Sequence, residues 1–262
     1  MKMIKKLIAA FSIYSRIPMP HMSGDEDYEG AITFLPLVGI VIAAAMYGVS
    51  YLLHLLSCPT FAGSILIAVV PLLITGGFHV DGFMDTVDAL RSYGSREKKL
   101  EILKDPHVGA FAVTGFITVV LLMIFATDQI TYIQAVKGIP VILYMGGIFV
   151  ISRTVAGITS VSLTNARNEG MLASETSGTK YTDVILMACP AIAVLAAIAY
   201  YNIIYAGVLI IGFSIVTIIC NRVIMKNFGG VTGDTCGYFI VVSETATSVL
   251  LALSMLVFSP VL

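Results

Sequence analysis

The sequence predicts an all-α integral membrane protein of about seven transmembrane helices, and three observations predict it. Of the 262 residues, 58% are hydrophobic and only 12% charged, with a mean hydropathy of +0.95, far from the composition of soluble globular domains. No Asp, Glu, Lys or Arg occurs between Glu29 and Asp81, a run long enough for two bilayer crossings. Lysines and arginines collect in alternate connections, as cytoplasmic loops collect them. A net charge of −1 argues against nucleic acid as a partner.

Taken in order, the chain begins with a basic stretch in which Ile4, Leu7, Ile8 and Phe11 recur at helical spacing, with Lys2, Lys5 and Lys6 elsewhere on the wheel. That pattern predicts an amphipathic helix in the membrane interface. No small-residue cleavage site follows the apolar core at Leu7–Tyr14, so a signal peptide is not expected. Ser57-Cys58-Pro59-Thr60 divides the long uncharged run into spans one and two. Further spans are expected at about 109–127, 138–161, 183–201, 203–221 and 237–260, the fifth and sixth parted by a tight turn at Asn202. Between spans two and three, Ser95 as N-cap and the Asp105-Pro106 stop frame a short charged helix. With all basic residues but Lys137 on one side, the N-terminus and the long polar segments are expected in the cytoplasm and the C-terminus outside. The expected location is a prokaryotic cytoplasmic membrane, as one polytopic domain over residues 1–262. Cys58, Cys189, Cys220 and Cys236 show no metal spacing and read as buried thiols.

Within this apolar frame the costly feature is Asp81, Asp85 and Asp88, at i, i+4 and i+7 directly after Gly76-Gly77. On a helix these side chains fall within roughly 60° of one another. Each carboxylate would cost about 2.5–3.5 kcal/mol at the bilayer centre, so a water-filled rim and a hard divalent cation are the natural compensation. Oxygen ligands of this kind suit Mg²⁺ or Mn²⁺, with remaining positions filled by water and substrate phosphate.

A second segment, Gly229-Gly230-Val231-Thr232-Gly233-Asp234, precedes span seven on the same expected face. Like the first, it places an aspartate four residues after its second glycine. Gly230 and Gly233 are expected to let backbone N–H groups approach phosphate oxygens. Glu244, inside span seven, is an intramembrane acid and so a candidate. Arg153 and Arg167 are candidate anion contacts. Lys104 is placed to meet a phosphate, and His79 to touch metal or phosphate.

The segments Gly76-Gly77-Phe78-His79-Val80-Asp81-Gly82-Phe83-Met84-Asp85-Thr86-Val87-Asp88, Lys104-Asp105-Pro106-His107-Val108-Gly109 and Gly229-Gly230-Val231-Thr232-Gly233-Asp234 together resemble the cobalamin synthase family, also called adenosylcobinamide-GDP ribazoletransferase. Ile17-Pro18-Met19-Pro20, Ala166-Arg167-Asn168-Glu169-Gly170-Met171-Leu172 and Ser243-Glu244 extend the likeness along nearly the whole chain. Departures are small: Pro106-His107 stands where a Ser-Arg-like pair is usual, and Met171 where Leu is. The resemblance implies an Mg²⁺-dependent enzyme that transfers adenosylcobinamide phosphate from adenosylcobinamide-GDP to α-ribazole or its 5′-phosphate, releasing GMP. It implies Asp81 and Asp85 as metal ligands, Asp88 and Asp234 completing the set or one of them acting as base. Membrane lipid and other enzymes of the pathway are the expected partners.

Two rivals differ in testable ways. A CDP-alcohol phosphotransferase would show D-x-x-D-G-x-x-A-R with two later aspartates, and this chain lacks it. A cation- or proton-coupled transporter would place its acids near the midplane between broken helices.

Overall fold

The computed structural model describes residues 2–20, 28–137, 142–167 and 169–258. Among these every regular element is helical: α1 (Lys2–Tyr14), α2 (Leu35–Leu55), α3 (Thr60–Thr75), α4 (Phe78–Arg91), α5 (Arg96–Ile102), α6 (Ala110–Lys137), α7 (Gly147–Ser162), α8 (Met171–Thr176), α9 (Tyr181–Tyr201), α10 (Ile203–Phe228) and α11 (Gly233–Phe258). Among the described residues six helices are long and apolar enough to cross a bilayer, and the bent α3 and α4 pair passes the same test only together, as a broken seventh span or a re-entrant loop.

α7 lies at the centre. Every residue from Gly147 to Thr154 is buried, against α2, α9 and α11, whereas α6, α9 and α10 turn large apolar side chains outward, Ile117, Leu121, Ile192 and Ile211 among them. That is the lipid-facing pattern, since exposing such groups to hydrocarbon costs nothing. Cys189 is exposed on α9 and only Cys220 is buried, so the expectation of four buried thiols fails.

Several boundaries depart from those expected: α10 runs seven residues past 221, to Phe228, and α11 starts at Gly233 rather than 237. α6 runs ten residues past position 127, to Lys137. The fourth span opens with a π-helical turn at Ile142–Gly146 and crosses over Leu143–Ser162; the expected start at 138 lies outside the described residues. The aspartate triplet is not on the end of a straight second span. α3 stops at Thr75 and α4 sets off at 91° to it. The physical reason is in the intervening pair: Gly76 and Gly77 both take left-handed conformations, φ 63° and 82°, which side chains other than glycine adopt only under strain.

α1 keeps Met3 and Ile4 exposed but buries Ala9, Ala10, Phe11 and Tyr14 against the protein. Its amphipathic stripe therefore seals the bundle near Ala31–Phe34 and α2 as well as facing outward at its start.

Candidate active site

α4 carries the acids, and two glycine contacts decide where they point. A Cβ on Gly82 would lie 2.8 Å from the Asp234 Cα, and one on Gly237 would lie 2.7 Å from the His79 carbonyl oxygen. Small residues on both helices thus let α4 and the first turns of α11 meet backbone to backbone. The two segments also share a local design. α3 ends on left-handed Gly76 and α10 on left-handed Gly229, and the helix that follows each holds an aspartate in its first turn, Asp81 and Asp234, where free N–H groups favour negative charge. Reciprocal bonds fasten the start of α11: Thr232 N–H donates to Thr235 Oγ1 (2.8 Å) and Thr235 N–H to Thr232 Oγ1 (3.1 Å).

Opposite lies the segment after α7. Ala166 N–H donates to the Val231 carbonyl and Val231 N–H to the Thr164 carbonyl, both at 2.9 Å, a two-bond parallel bridge centred on Asn165 and Val231. Gly230 makes it possible, because a Cβ there would sit 2.5 Å from the Ala166 nitrogen and the Thr164 oxygen. The face of Gly230 that a side chain would occupy is therefore packed on protein backbone. Gly233 is exposed with open space where a Cβ would stand. The bridge carries Arg167 toward Asp234, and the two charges interact. The Arg167 guanidinium is anchored from behind by donating to the Leu100 carbonyl of α5. A cavity of about 300 Å³ results, with Asp81, Asn165, Arg167, Gly233 and Asp234 among its lining residues.

The charge in this corner is strongly one-signed. Asp85 stands in the field of Asp81, Asp234, Asp88 and Asp105, with Arg167 as the counterweight at Asp234. Among the described residues no three His, Cys, Asp or Glu side chains close on a metal position by themselves. An all-oxygen set of facing but separate carboxylates fits Mg²⁺, which is typically held by one or two carboxylates plus water and substrate phosphate rather than by a protein cage.

Other expected site residues are placed elsewhere. Asp88 accepts from Gly109 N–H at 2.7 Å and Ala112 N–H at 2.9 Å, so both its oxygens cap the start of α6. Lys104 is exposed on the turn after α5 and lines neither cavity beside α4. Arg153, 1% exposed, donates to Glu244 and to the Phe149 carbonyl (3.1 Å), while Ser152 Oγ donates to Glu244 at 2.8 Å. Arg153 and Glu244 are thus each other's partners inside the bundle, because a buried charge is held only by a buried countercharge, and neither reaches the acidic cavity. His79 points the same way. It is 5% exposed, lies against Tyr14 with ring centroids 6.0 Å apart, and lines an inner cavity with Thr75, Arg153 and Glu244 rather than touching the acids.

Two features escape the sequence reading. Tyr14 of α1 donates a 2.5 Å hydrogen bond to Glu175 of α8, both buried, across a separation that no local pattern signals. Burial pushes the Glu175 carboxyl up to about 7, against the lowering effect of the Tyr14 hydrogen bond, and burial with the Glu175 charge raises the Tyr14 hydroxyl. Arg16 lines a second cavity of about 580 Å³ with Ser12, Gly76, Gly77, Asp81 and Met84. An arginine just before Pro18 and Pro20 was the available sign, read at the sequence level only as a topological charge.

Fold and site define a polytopic membrane protein whose polar chemistry is concentrated in an acidic, arginine-faced pocket between a bent helix pair and the last span. Residues 6–252 match the family model described as cobalamin-5-phosphate synthase. The chain is similar to the adenosylcobinamide-GDP ribazoletransferase of Lachnoclostridium phytofermentans, 32% identical over 93% of this chain and 92% of that one. It is also similar to those of Clostridium perfringens (strain ATCC 13124; 30%, over 97% and 100%) and Clostridium botulinum (strain Alaska E43; 29%, over 92% and 94%). No solved structure matches. The chain belongs to the cobalamin-5-phosphate synthase family, and so is an enzyme, a transferase of cobalamin biosynthesis.

Proposed function

We propose that the protein is an adenosylcobinamide-GDP ribazoletransferase that works with Mg²⁺ at the cytoplasmic rim of the cell membrane. The observation that carries this reading is the meeting of Asp81, Asp234 and Arg167 in one cavity, built from three segments distant in sequence, in a chain of this family.

Asp81 and Asp85 are the residues that would hold Mg²⁺, whose charge, when bound, offsets that of the diphosphate and of the leaving oxygen. Arg167, fixed by Leu100, binds the diphosphate and keeps it from the bare carboxylates. The 3′-oxygen of α-ribazole or its 5′-phosphate forms a bond to the phosphorus nearer cobinamide. The bridging P–O bond breaks, and GMP leaves with the other phosphate. Asp234 takes the 3′-hydroxyl proton, since it lines the cavity whereas Asp88 is held on the start of α6 and does not. Asp88 is then a positioning residue that fixes α4 relative to α6.

Membranes or purified protein are expected to release GMP from adenosylcobinamide-GDP only when Mg²⁺ and an α-ribazole acceptor are both present. Asp81→Ala and Asp85→Ala should each lower this by about a hundred- to a thousandfold, the scale of a lost electrostatic contact at the transition state, while still inserting in the membrane. Near wild-type turnover in either variant would remove the metal assignment. Release that ignores the acceptor would favour a different phosphotransferase, and no release a transporter.

A further inference from the structure

The larger cavity beside α4 is not used by the chemistry above. It lies across Asp81 from the Arg167 cavity, and the two share only Phe78 and Asp81 among their lining residues. In phosphoryl transfer the attacking and leaving oxygens stand roughly in line on opposite sides of the phosphorus. Two cavities that meet at one carboxylate therefore suit two substrates that approach one phosphorus from two sides.

The chemistry of the larger cavity is set by Arg16. Its backbone is pinned, because Arg16 N–H donates to the Ile74 carbonyl at 2.8 Å and the preceding turn is tied by Ser15 Oγ to the Phe11 carbonyl at 2.7 Å. Its side chain lies over Gly76, in the space a Cβ would take. Among the described residues the Arg16 guanidinium has no hydrogen bond or ion pair. This sets it apart from Arg153, which is matched by Glu244, and from Arg167, which is fixed to Leu100. A planar guanidinium without a partner, on a cavity of about 580 Å³ that also opens on Asp81, is a fork for a phosphate monoester.

Resting on the proposed function, we infer that the Arg16 cavity receives the acceptor and that Arg16 binds its 5′-phosphate, which makes Arg16 the residue that selects α-ribazole 5′-phosphate over α-ribazole. The donor's diphosphate occupies the Arg167 side. Asp81 stands between, and the acceptor's 3′-oxygen reaches past it to the phosphorus beside Asp234, the charges of the two aspartates interacting across that junction.

The test compares kcat/KM for the two acceptors, with adenosylcobinamide-GDP saturating, in the wild type, Arg16→Ala and Arg16→Lys. The wild type should prefer the phosphorylated acceptor. In Arg16→Ala that preference ratio should fall by about ten- to a hundredfold, the size of one or two charge-assisted hydrogen bonds, with Arg16→Lys between the two. Inorganic phosphate should compete against α-ribazole 5′-phosphate more strongly than against α-ribazole in the wild type, a measurement that needs no variant to fold. The inference is overturned if the wild type shows no preference, if the ratio survives in Arg16→Ala while both acceptors lose equally, or if the loss falls on the KM of the donor. A wild type that releases no GMP with either acceptor would instead refute the proposed function itself.

Discussion

Two buried ionisable pairs show how single residues are held in this bundle. Arg153 and Glu244 keep opposite charges together inside the protein, with Ser152 and the Phe149 carbonyl taking up further valences. Tyr14 and Glu175 make a pair of a different kind, an acid next to a neutral donor. Because burial lifts the Glu175 carboxyl from the ordinary 4.5 to about 7, the folded chain keeps a proton there between these values where the unfolded chain has lost it. Stability from this group is therefore fully present below about pH 4.5 and is lost as pH rises to about 7, by on the order of 3 kcal/mol in total. Glu175→Gln, which leaves Tyr14 an oxygen to donate to, should abolish that dependence. Melting of the detergent-purified protein at pH 5, 6 and 8 measures it, and equal slopes in wild type and variant would refute the assignment. Of the individual site residues, Asp81 and Asp234 were legible from the sequence because each follows a glycine pair at the same interval. Glu175 and Arg16 were not, since what singles them out is a partner from a distant segment or the lack of one.

At the scale of helices, α4 explains why three aspartates on one stripe end up with different work. Their angular spread is small, but Asp81 and Asp88 are separated by about 10 Å along the axis at 1.5 Å per residue. Asp81 therefore meets the start of α11, and Asp88 meets the start of α6. Helical periodicity gives the shared stripe and says nothing of which neighbour each turn reaches. The 91° bend was hidden for a related reason, as Gly76-Gly77 reads equally as a loop before a helix or as a hinge between two. The α4 and α11 contact itself depends on Gly82, where a methyl group would press on the Asp234 backbone at 2.8 Å. Gly82→Ala should force the two helices apart and cost up to about a hundredfold in turnover, the scale of a misplacement of about 1 Å in a preorganised site. The yield of membrane-inserted protein should stay near that of the wild type. Unchanged kcat would show that the acids on α4 and α11 do not act together.

On the scale of the whole molecule, the end of the bundle that holds the acids also holds much of the basic charge. Arg16 and Arg167 line the two cavities, Lys99 donates to Asn227 at the end of α10, and Lys6 pairs with Asp183 at 3.4 Å. The bent pair decides the topology. α3 has 16 residues and is about 24 Å long, short of the roughly 30 Å hydrocarbon core. Where the pair is one broken span, the first turns of α4 complete the crossing, and the irregular backbone at Gly76-Gly77 is tolerable at that depth because it lines a cavity rather than lipid. Six full spans and one broken span make seven crossings, which put the two termini on opposite sides. A re-entrant α3 and α4 would leave six and put them on the same side. With the basic end inside, a reporter fused after Phe258 should be active only if it works outside the membrane, and one inserted near Gly170 only if it works within the cytoplasm. A cytoplasmic signal from the C-terminal fusion, together with an internal one that works only outside, would mean that the bent pair dips and returns, and that the acidic site does not open toward the cytoplasm.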